Sequence, residues 1–338
     1  KFRREWNIFD WCEPGNLIVS NQIIKVGDFT APVVECPFVD YNWDGIGDLI
    51  TYSTGPFDCT ASFQVPLPTV SDNCSSWEIT SYIVTDIEVD VTNQYGQVIG
   101  TDTETIVVAE IAPGASRFVS GIPVGQHRFK YEVEDACGNS TVIECDFQVV
   151  DEVEPVAICD DDLNISIGGQ GYARVYAQDI DEGSYDNCGP VTIEVRRQFA
   201  NGQFSLWGEH VDFDCADVNN MVTIELRATD ANGLQNVCWL EVLVEDKIRP
   251  FCVAPHNVDI DCDEVPYDFD PFNTDQLQDL FGEASADDNC ENATWEELTP
   301  IVQLHDCGFG RIIRRFRATD AFGNVSTNSC QQIVTINE

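Results

Sequence analysis

The stretch Thr223-Ile-Glu-Leu-Arg-Ala-Thr-Asp230-Ala-Asn-Gly233 decides the fold, because it joins a strand of alternating apolar and polar residues to a tight turn. Apolar side chains at every second position are typical of a β-strand with one buried face. The same arrangement recurs at 130–139 and 313–324, and a related turn occupies 10–16. A second strand follows each turn, so the pattern predicts the same β-hairpin four times.

The four turns begin at Asp10, Asp135, Asp230 and Asp320, at intervals of 125, 95 and 90 residues. A repeat of this size is a whole small domain and is too long for a solenoid unit. We therefore expect the 338-residue chain to be a piece of a longer tandem array. The predicted segments are the last hairpin of a preceding domain at 1–29 and three domains at 30–151, 152–246 and 247–338.

Each repeat contains several short alternating stretches separated by Gly, Pro, Asn and Asp, for example at 82–91, 172–176 and 191–195. About seven such strands in roughly 100 residues are typical of an immunoglobulin-type β-sandwich. One helix is predicted at 274–281, with Thr274 as its N-cap and Gly282 as its end. The sequence therefore predicts an all-β chain of tandem immunoglobulin-like sandwich domains.

Short linkers are predicted between the domains. The pattern Asp-x-x-x-Pro follows the closing strand at 28–32, 151–155 and 246–250, and no Gly/Ser-rich tract lies between repeats. Proline stiffens the chain and cannot continue a strand ladder. We therefore expect the domains to form an elongated rod.

The charge of the chain limits its partners. The formal net charge is −42, and 43% of the residues are hydrophobic, so the repeats can bury cores. Such an acidic surface repels nucleic acid and anionic membranes, and no apolar run is long enough for membrane insertion. Dense Asp favours a protein that binds divalent cations or functions in salt water, with plain solubility as the simpler alternative.

Cysteine usage indicates an oxidising, extracellular compartment. The 15 Cys residues recur at similar places in each repeat, as expected for disulfides in small β domains. The close Cys pairs of a thiolate zinc site are absent from the sequence. We therefore predict disulfides rather than zinc ligation.

A calcium loop is predicted at 40–48. Asp40, Asn42, Asp44 and Asp48 supply side-chain oxygens at positions 1, 3, 5 and 9, and Ile46 supplies a backbone carbonyl at position 7. Gly occupies position 6, where such loops turn sharply, although the usual bidentate Glu at position 12 is missing. The alternative is a turn shaped by Asp and Asn without an ion.

A weaker acidic set comprises Asp179, Asp181, Asp186 and Asp230 in the second repeat. A junctional calcium is one interpretation, because clustered carboxylates repel one another unless a cation lies among them. The alternative is that these carboxylates accept backbone N–H bonds and shape the loops. The stretch 268–275 has similar composition but irregular spacing.

Catalytic patterns are absent from the sequence. The four His residues share no motif, and there is no nucleophile elbow, zinc-protease motif or phosphate-binding glycine loop. We therefore predict that the chain is not an enzyme.

The order of motifs resembles the hyalin-repeat family (HYR-like) and related immunoglobulin-like repeats. The shared order is Asp-Asn-Cys, a Cys before the sixth strand, Ala-Thr-Asp-Ala-x-Gly, a closing Cys and Asp-x-x-x-Pro, and residues 152–246 carry it most completely. The family occurs in very large secreted surface proteins, notably of gliding and marine Bacteroidota. The resemblance implies adhesins, stalks and cell-surface appendages.

The sandwich implied by this resemblance suggests particular disulfides. It brings two loops together at the N-terminal tip of the first domain, beside Cys74 and Cys137. Cys12 is expected to have lost its partner with the preceding domain. The expected pairs are Cys74–Cys137, Cys188–Cys215, Cys290–Cys307 and Cys159–Cys238, with Cys330 bonded to Cys262 or Cys252 and Cys145 bonded to Cys59 or Cys36.

We therefore expect a stalk or filament segment of a very large extracellular protein, stabilised by calcium and disulfides and used for attachment or capture. Its partners would be the neighbouring domains of the same chain, and sister chains held through calcium or Arg clusters such as 311–315. One alternative is a module that binds a glycan or a host surface. Another is a spacer array of a secreted hydrolase.

Overall fold

The computed structural model describes residues 1–13, 15–73, 76–160, 162–290, 292–306, 308–327 and 330–338. The chain divides into two compact units. Unit 1 comprises Lys1–Val153 and Asn187–Gly189, and unit 2 comprises Glu154–Asp186 and Pro190–Glu338. Both units consist mainly of β-strands, so the prediction of an all-β chain is confirmed.

Unit 1 contains eleven strands within its described residues. They are β1 (Phe2–Phe9), β2 (Leu17–Ile24), β3 (Val33–Glu35), β4 (Ile50–Ser53), β5 (Thr60–Gln64), β6 (Thr69–Ser71), β7 (Trp77–Thr92), β8 (Val98–Ile111), β9 (Phe118–Pro123), β10 (Gly125–Asp135) and β11 (Ser140–Val150).

The first repeat is a sandwich built around the hairpin β10–β11. These strands lie in a sheet of order β4-β11-β10-β7-β8, in which only β4 and β11 run parallel. The pairs β5–β9 and β3–β6 form the other strand pairings. The core is aromatic: Tyr52 stacks on Phe63 at 3.8 Å between ring centroids, and Phe129 stacks on Phe147 at 3.9 Å. By contrast, β1 and β2 pair only with each other, and every residue of both strands is exposed.

The second repeat belongs to unit 2, except for the Asn187–Gly189 segment. Its elements are β12 (Asn164–Ser166), β13 (Tyr172–Tyr176), α1 (Ala177–Ile180), β14 (Thr192–Arg197), β15 (His210–Asp214), a 3-10 turn (Cys215–Asp217), β16 (Met221–Thr229) and β17 (Gln235–Glu245).

The core of the second repeat follows the alternation of the quoted stretch. Val222, Ile224, Leu226 and Ala228 are buried on one face of β16. The sheet order is β12-β17-β16-β14, with β13 and β15 paired separately. The Thr223–Thr229 pattern therefore places every second side chain of the strand in the core.

The third repeat has the same sheet order with new elements. They are β18 (Phe251–Val253), β19 (Val258–Asp261), a 3-10 turn (Cys262–Glu264), α2 (Thr274–Phe281), β20 (Ser285–Asp287), β21 (Thr294–Leu304), β22 (Gly310–Thr319) and β23 (Gln331–Asn337). The sheet is β19-β23-β22-β21, and β18 pairs with β20. All sheets stay within the four predicted segments, whose boundaries remain a prediction.

A polar layer lies in the core of the third repeat. Arg314, on β22, is fully buried and corresponds in the repeat to Ile224. Its guanidinium forms two hydrogen bonds to the buried carboxylate of Glu297, at 2.7 and 2.8 Å, and a third to Gln332. Arg314 is therefore a core residue, which corrects the expectation that it belongs to an exposed Arg cluster.

The predicted helix is confirmed as α2, but its cap differs by one residue. The Asn273 side chain accepts hydrogen bonds from the N–H groups of Asp275 and Gln276, so Asn273 is the N-cap and Thr274 is the first helical residue. Gly282, in the left-handed region with φ of 91°, ends the helix as expected.

Candidate metal and cross-link sites

Two disulfides join residues of successive repeats. Cys215, in the 3-10 turn of the second repeat, bonds to Cys290 of the third within unit 2. Cys59 bonds to Cys188 within unit 1, which includes the Asn187–Gly189 segment. The expected bond Cys188–Cys215 is therefore wrong, and so is Cys290–Cys307, although Cys307 itself lies outside the described residues.

Strand direction explains the error. Cys215 precedes Met221 at the start of β16, and Met221 pairs with Leu243 near the end of the domain. The Asp-Asn-Cys triplet leads instead into β14, whose first residue Thr192 pairs with Thr229 at the far end of β16. A nine-residue strand spans about 30 Å, far beyond the reach of a disulfide.

Three further disulfides each join an early residue of a repeat to its last strand or, for Cys330, to the residue directly before that strand. They are Cys36–Cys145, Cys159–Cys238 and Cys252–Cys330. The structure thus contains the expected Cys159–Cys238 pair and selects Cys36 and Cys252 from the alternatives left open for Cys145 and Cys330.

Cys12, Cys137 and Cys262 are exposed and have no disulfide partner among the described residues. Cys262 is therefore wrong as a disulfide candidate for Cys330. The expected Cys74–Cys137 pair cannot be placed, because Cys74 lies outside the described residues.

The predicted calcium loop at 40–48 is exposed and shaped by its own side chains. Asp40 accepts hydrogen bonds from the N–H groups of Asp44 and Gly45, at 3.2 and 2.9 Å. Asp44 accepts from Ile46 N–H at 2.7 Å, and Asp48 accepts from Tyr41 N–H at 2.7 Å.

The loop carboxylates do not converge as tightly as those of the acidic clusters elsewhere in the described chain. Asp40, Asp44 and Asp48 form no group whose oxygens all lie within 4.8 Å of one another. Asn42 accepts a hydrogen bond from Asp44 N–H, and Gly45 has φ of 82°, as the sharp turn at position 6 requires. Calcium at this loop remains a proposal.

The weaker acidic set of the second repeat separates into two parts. Asp179 accepts a hydrogen bond from Tyr176 N–H beside α1, and Asp181 accepts from Ser184 N–H, so both shape loops. Asp186 and Asp230, in contrast, bring carboxylate oxygens within 4.8 Å of each other. In the 268–275 stretch, Asp270 accepts from Phe272 N–H, and the stretch contributes to no acidic cluster among the described residues.

Tight clusters of three carboxylates form from positions that recur in each repeat. In unit 2, Asp246, Asp288 and Asp320 offer oxygens that all lie within 4.8 Å of one another, and Asp28, Asp72 and Asp135 do the same in unit 1. We call them the Asp246 triad and the Asp28 triad. Each takes one Asp from the linker, one from the Asp-Asn-Cys triplet and one from the turn between the last two strands.

Neutral donors hold the Asp246 triad in place. The Asn289 amide donates to both carboxylate oxygens of Asp246, at 3.3 and 3.2 Å. The Asn324 amide donates to Asp320 Oδ2 at 2.8 Å and to the backbone oxygen of Asp246 at 3.0 Å. These bonds orient the three segments without supplying positive charge.

The electrostatics of Asp288 follow from this crowding. Burial raises the pKa of Asp288 above its usual value, and the charges of Asp246 and Asp320 raise it further, against the hydrogen bond from Cys290 N–H. In the Asp28 triad, burial would raise the pKa of Asp135, but hydrogen bonds from Asn139 and nearby backbone N–H groups hold it below its usual value.

The three motifs of the Asp246 and Asp28 triads were interpreted separately from the sequence, whereas Asp186 and Asp230 were grouped in the second repeat. Asp246 appeared as a linker residue, Asp288 as part of a cysteine motif and Asp320 as a turn residue. The usable signal was that all three Asp positions recur in every repeat, while most of the residues between them vary. Strand order then brings the three motifs to one end of the sandwich.

Comparisons with known proteins add only a general likeness. No protein-family model and no curated protein sequence matches the chain. Among solved structures, an I-band fragment of titin is 11% identical, with 92% of this chain and 100% of that chain covered and a TM-score of 0.34. Mouse cadherin-23 EC22-24 is 13% identical, with 91% and 99% covered and a TM-score of 0.32.

The sheets themselves define the class: this is a chain of tandem immunoglobulin-like β-sandwich domains with several disulfides. Within the part of the chain that the structure describes, no helix is long and apolar enough to cross a membrane.

Proposed function

We propose that the chain is a load-bearing segment of a very large extracellular protein, a stalk or filament used for attachment or capture. One observation carries the proposal: a disulfide connects the early part of each of the three repeats to the last strand or to the residue directly before it. The bonded cysteines lie 109, 79 and 78 positions apart in sequence. Tension applied to the chain ends therefore passes through the bridges instead of through the domains.

The sequence between these bridges is short. Cys145 and Cys159 are 14 residues apart, and so are Cys238 and Cys252. With the bridges intact, a pulling force can extend only these connecting segments and the chain ends. Such shielding suits a protein whose task is to hold its length under load.

Composition supports an extracellular location in the same proposal. Disulfides persist in oxidising compartments, and a net charge of −42 keeps a long protein soluble and self-repelling. The motif order of the hyalin-repeat family supports a secreted surface protein of a Bacteroidota bacterium. Antibodies against the chain should then label intact cells of such an organism.

Single-molecule force spectroscopy tests the load-bearing role. The oxidised chain should show no extension step of domain size. Reduction should add steps of about 27 nm for the second repeat and about 37 nm for the first, at roughly 3.4 Å per residue. Domain-sized steps in the oxidised chain would contradict the proposal.

Matched cysteine variants sharpen this test. Replacing Cys159 and Cys238 by Ser should lengthen the oxidised chain by about 20 nm, because the remaining Cys59–Cys188 bridge then limits the extension. Replacing Cys215 and Cys290 by Ser should leave its length unchanged, because that bridge lies off the shortest covalent path. If both double variants lengthen the chain equally, the bridges within the repeats are not what limits its extension.

We also propose that the 40–48 loop binds calcium. Support comes from the oxygen ligands at positions 1, 3, 5 and 9 and from the sharp turn at Gly45. Calcium should protect this loop from proteolysis in the native chain but not in the Asp44→Asn variant. Asp58→Asn, an exposed change in the same unit, is the control, and equal cleavage with calcium and with EDTA in the native chain would refute the loop site.

A further inference from the structure

We propose that the Asp246 triad binds a divalent cation of the calcium type at the point where the second repeat continues into the third. The Asp28 triad forms the equivalent site in unit 1. Both sites consist of residues outside the 40–48 loop, so a negative result for the loop would not affect them.

The geometry of the triad matches one shared ion. Asp246, Asp288 and Asp320 each offer a carboxylate oxygen within 4.8 Å of the other two. Oxygens bound to one calcium ion at 2.3–2.6 Å lie at most about 5 Å apart. An ion among these three oxygens would therefore need little movement of the carboxylates.

No basic side chain in the described part of the chain pairs with the carboxylates of the triad. Asp246 and Asp320 are each only 7% exposed. In the described residues, none of the ion pairs formed by Lys, Arg or His involves the three carboxylates. Buried like charges at this distance are unfavourable unless a cation or a proton is bound.

A second observation independently indicates a ligand. Asp288 Oδ1 is buried from solvent and has no hydrogen-bond partner in the described structure, while Oδ2 accepts from Cys290 N–H at 3.1 Å. A carboxylate oxygen that is buried without a hydrogen-bond donor is costly. A bound cation would satisfy this oxygen.

Unsatisfied buried carboxylate oxygens also occur in the other repeats, on other members of the acidic sets. Asp230, 7% exposed, has a buried Oδ2 without a hydrogen-bond partner, and its carboxylate lies within 4.8 Å of Asp186. Leu234 stands where Asn139 and Asn324 supply a donor in the other repeats. In unit 1, Asp28 Oδ2 is also buried and unpartnered. Each acidic set therefore contains a buried carboxylate oxygen without a hydrogen-bond partner, which favours a common ligand over a local packing fault.

The ion would connect three segments of unit 2. Asp246 lies in the linker, Asp288 in the loop before β21 and Asp320 in the turn between β22 and β23. The Cys215–Cys290 bridge lies beside the same loop, two residues from Asp288. Cation binding would therefore fix the linker to the tip of the third repeat and reinforce the covalent cross-link there.

Hydrogen–deuterium exchange of the full oxidised chain tests the site. Exchange is measured in EDTA and in calcium chloride, and sodium chloride of equal ionic strength is the control. Calcium should slow exchange of the 320–324 turn about tenfold by ligand linkage. In Asp288→Asn this protection should disappear, because the variant keeps the acceptor for Cys290 N–H but loses a charged ligand. In EDTA the same variant should exchange more slowly than the native chain, because one repelling charge is gone.

Two controls keep the result interpretable. Glu283→Gln removes an exposed carboxylate nearby and should behave like the native chain. The 135–139 turn of the Asp28 triad should remain protected by calcium in Asp288→Asn. The proposal is overturned if calcium protects 320–324 no more than sodium does, or if Asp288→Asn keeps the protection.

Discussion

A buried ionic layer distinguishes the third repeat at the scale of single residues. Arg314, Glu297 and Gln332 occupy the positions that Ile224, Val195 and Leu240 occupy in the second repeat. Gln332 also donates to the backbone oxygens of His256 and Phe281, and Arg314 donates to that of Gly282. The layer thus satisfies carbonyl groups at the end of α2 that an aliphatic core would leave unpaired.

Removing one partner of this layer should be far more costly than removing both. Glu297→Val leaves Arg314 as an uncompensated buried charge and should reduce the free energy of unfolding by about 3–5 kcal/mol. The double variant Glu297→Val with Arg314→Ile should recover part of that loss. The free energies of unfolding of the single and the double variant are measured by urea denaturation, with hydrogen exchange of β22 as the probe.

The control for this comparison is the exposed pair Glu296–Arg317 on the neighbouring positions. Glu296→Val should cost less than about 1 kcal/mol, because solvent screens the pair. Equal losses for Glu296→Val and Glu297→Val would mean that burial of the ionic layer does not determine its contribution.

The Arg197–Asp217 ion pair should make the second repeat sensitive to acid. Burial would raise the pKa of Asp217, but hydrogen bonds from Arg197 and Asp214 N–H outweigh it and lower the pKa. Because the pKa of Asp217 is lower in the folded state, its ionised carboxylate stabilises the fold at pH values above the unfolded pKa of about 3.9. This stabilisation is lost as the pH falls through the folded pKa.

Asp217→Asn should therefore destabilise the second repeat by about 2 kcal/mol at neutral pH. The difference from the native chain should shrink below about pH 4. Thermal unfolding across this pH range tests the prediction, and a constant difference down to the most acid pH would refute the role of the ion pair.

At the scale of elements, the cap of α2 gives a one-residue test. Asn273→Ala should cost about 1 kcal/mol, because two helix N–H groups lose their acceptor. Thr274→Ala should be nearly neutral, since Thr274 is the first helical residue. Chemical denaturation measures the free energy of unfolding of both variants. A larger loss of stability for Thr274→Ala than for Asn273→Ala would mean that Thr274 is the N-cap, as predicted from the sequence.

Alternation in the sequence was sufficient to predict most strands. The 172–176 stretch coincides with β13 (Tyr172–Tyr176), and 82–91 lies within β7. Periodicity works here because one face of each strand is buried. It failed at Arg314, where a charged residue occupies a core position and the compensating partners come from other strands.

The cross-links at the scale of the whole molecule were less predictable. Cysteine positions indicated disulfides, but pairing depends on which end of each strand faces which neighbour. Cys188 and Cys215 are close in sequence, yet strand register assigns their loops to opposite ends of β16. The Asp246 and Asp28 triads were missed for the same reason, because their successive members lie 32 to 63 positions apart in sequence.

Successive repeats are bonded to each other through the cysteines of their Asp-Asn-Cys triplets. Proteolysis of the unreduced chain followed by mass spectrometry tests these bonds most directly. We predict linked peptides that contain Cys59 with Cys188 and Cys215 with Cys290. Linked peptides that contain Cys188 with Cys215, or Cys290 with Cys307, would contradict the account.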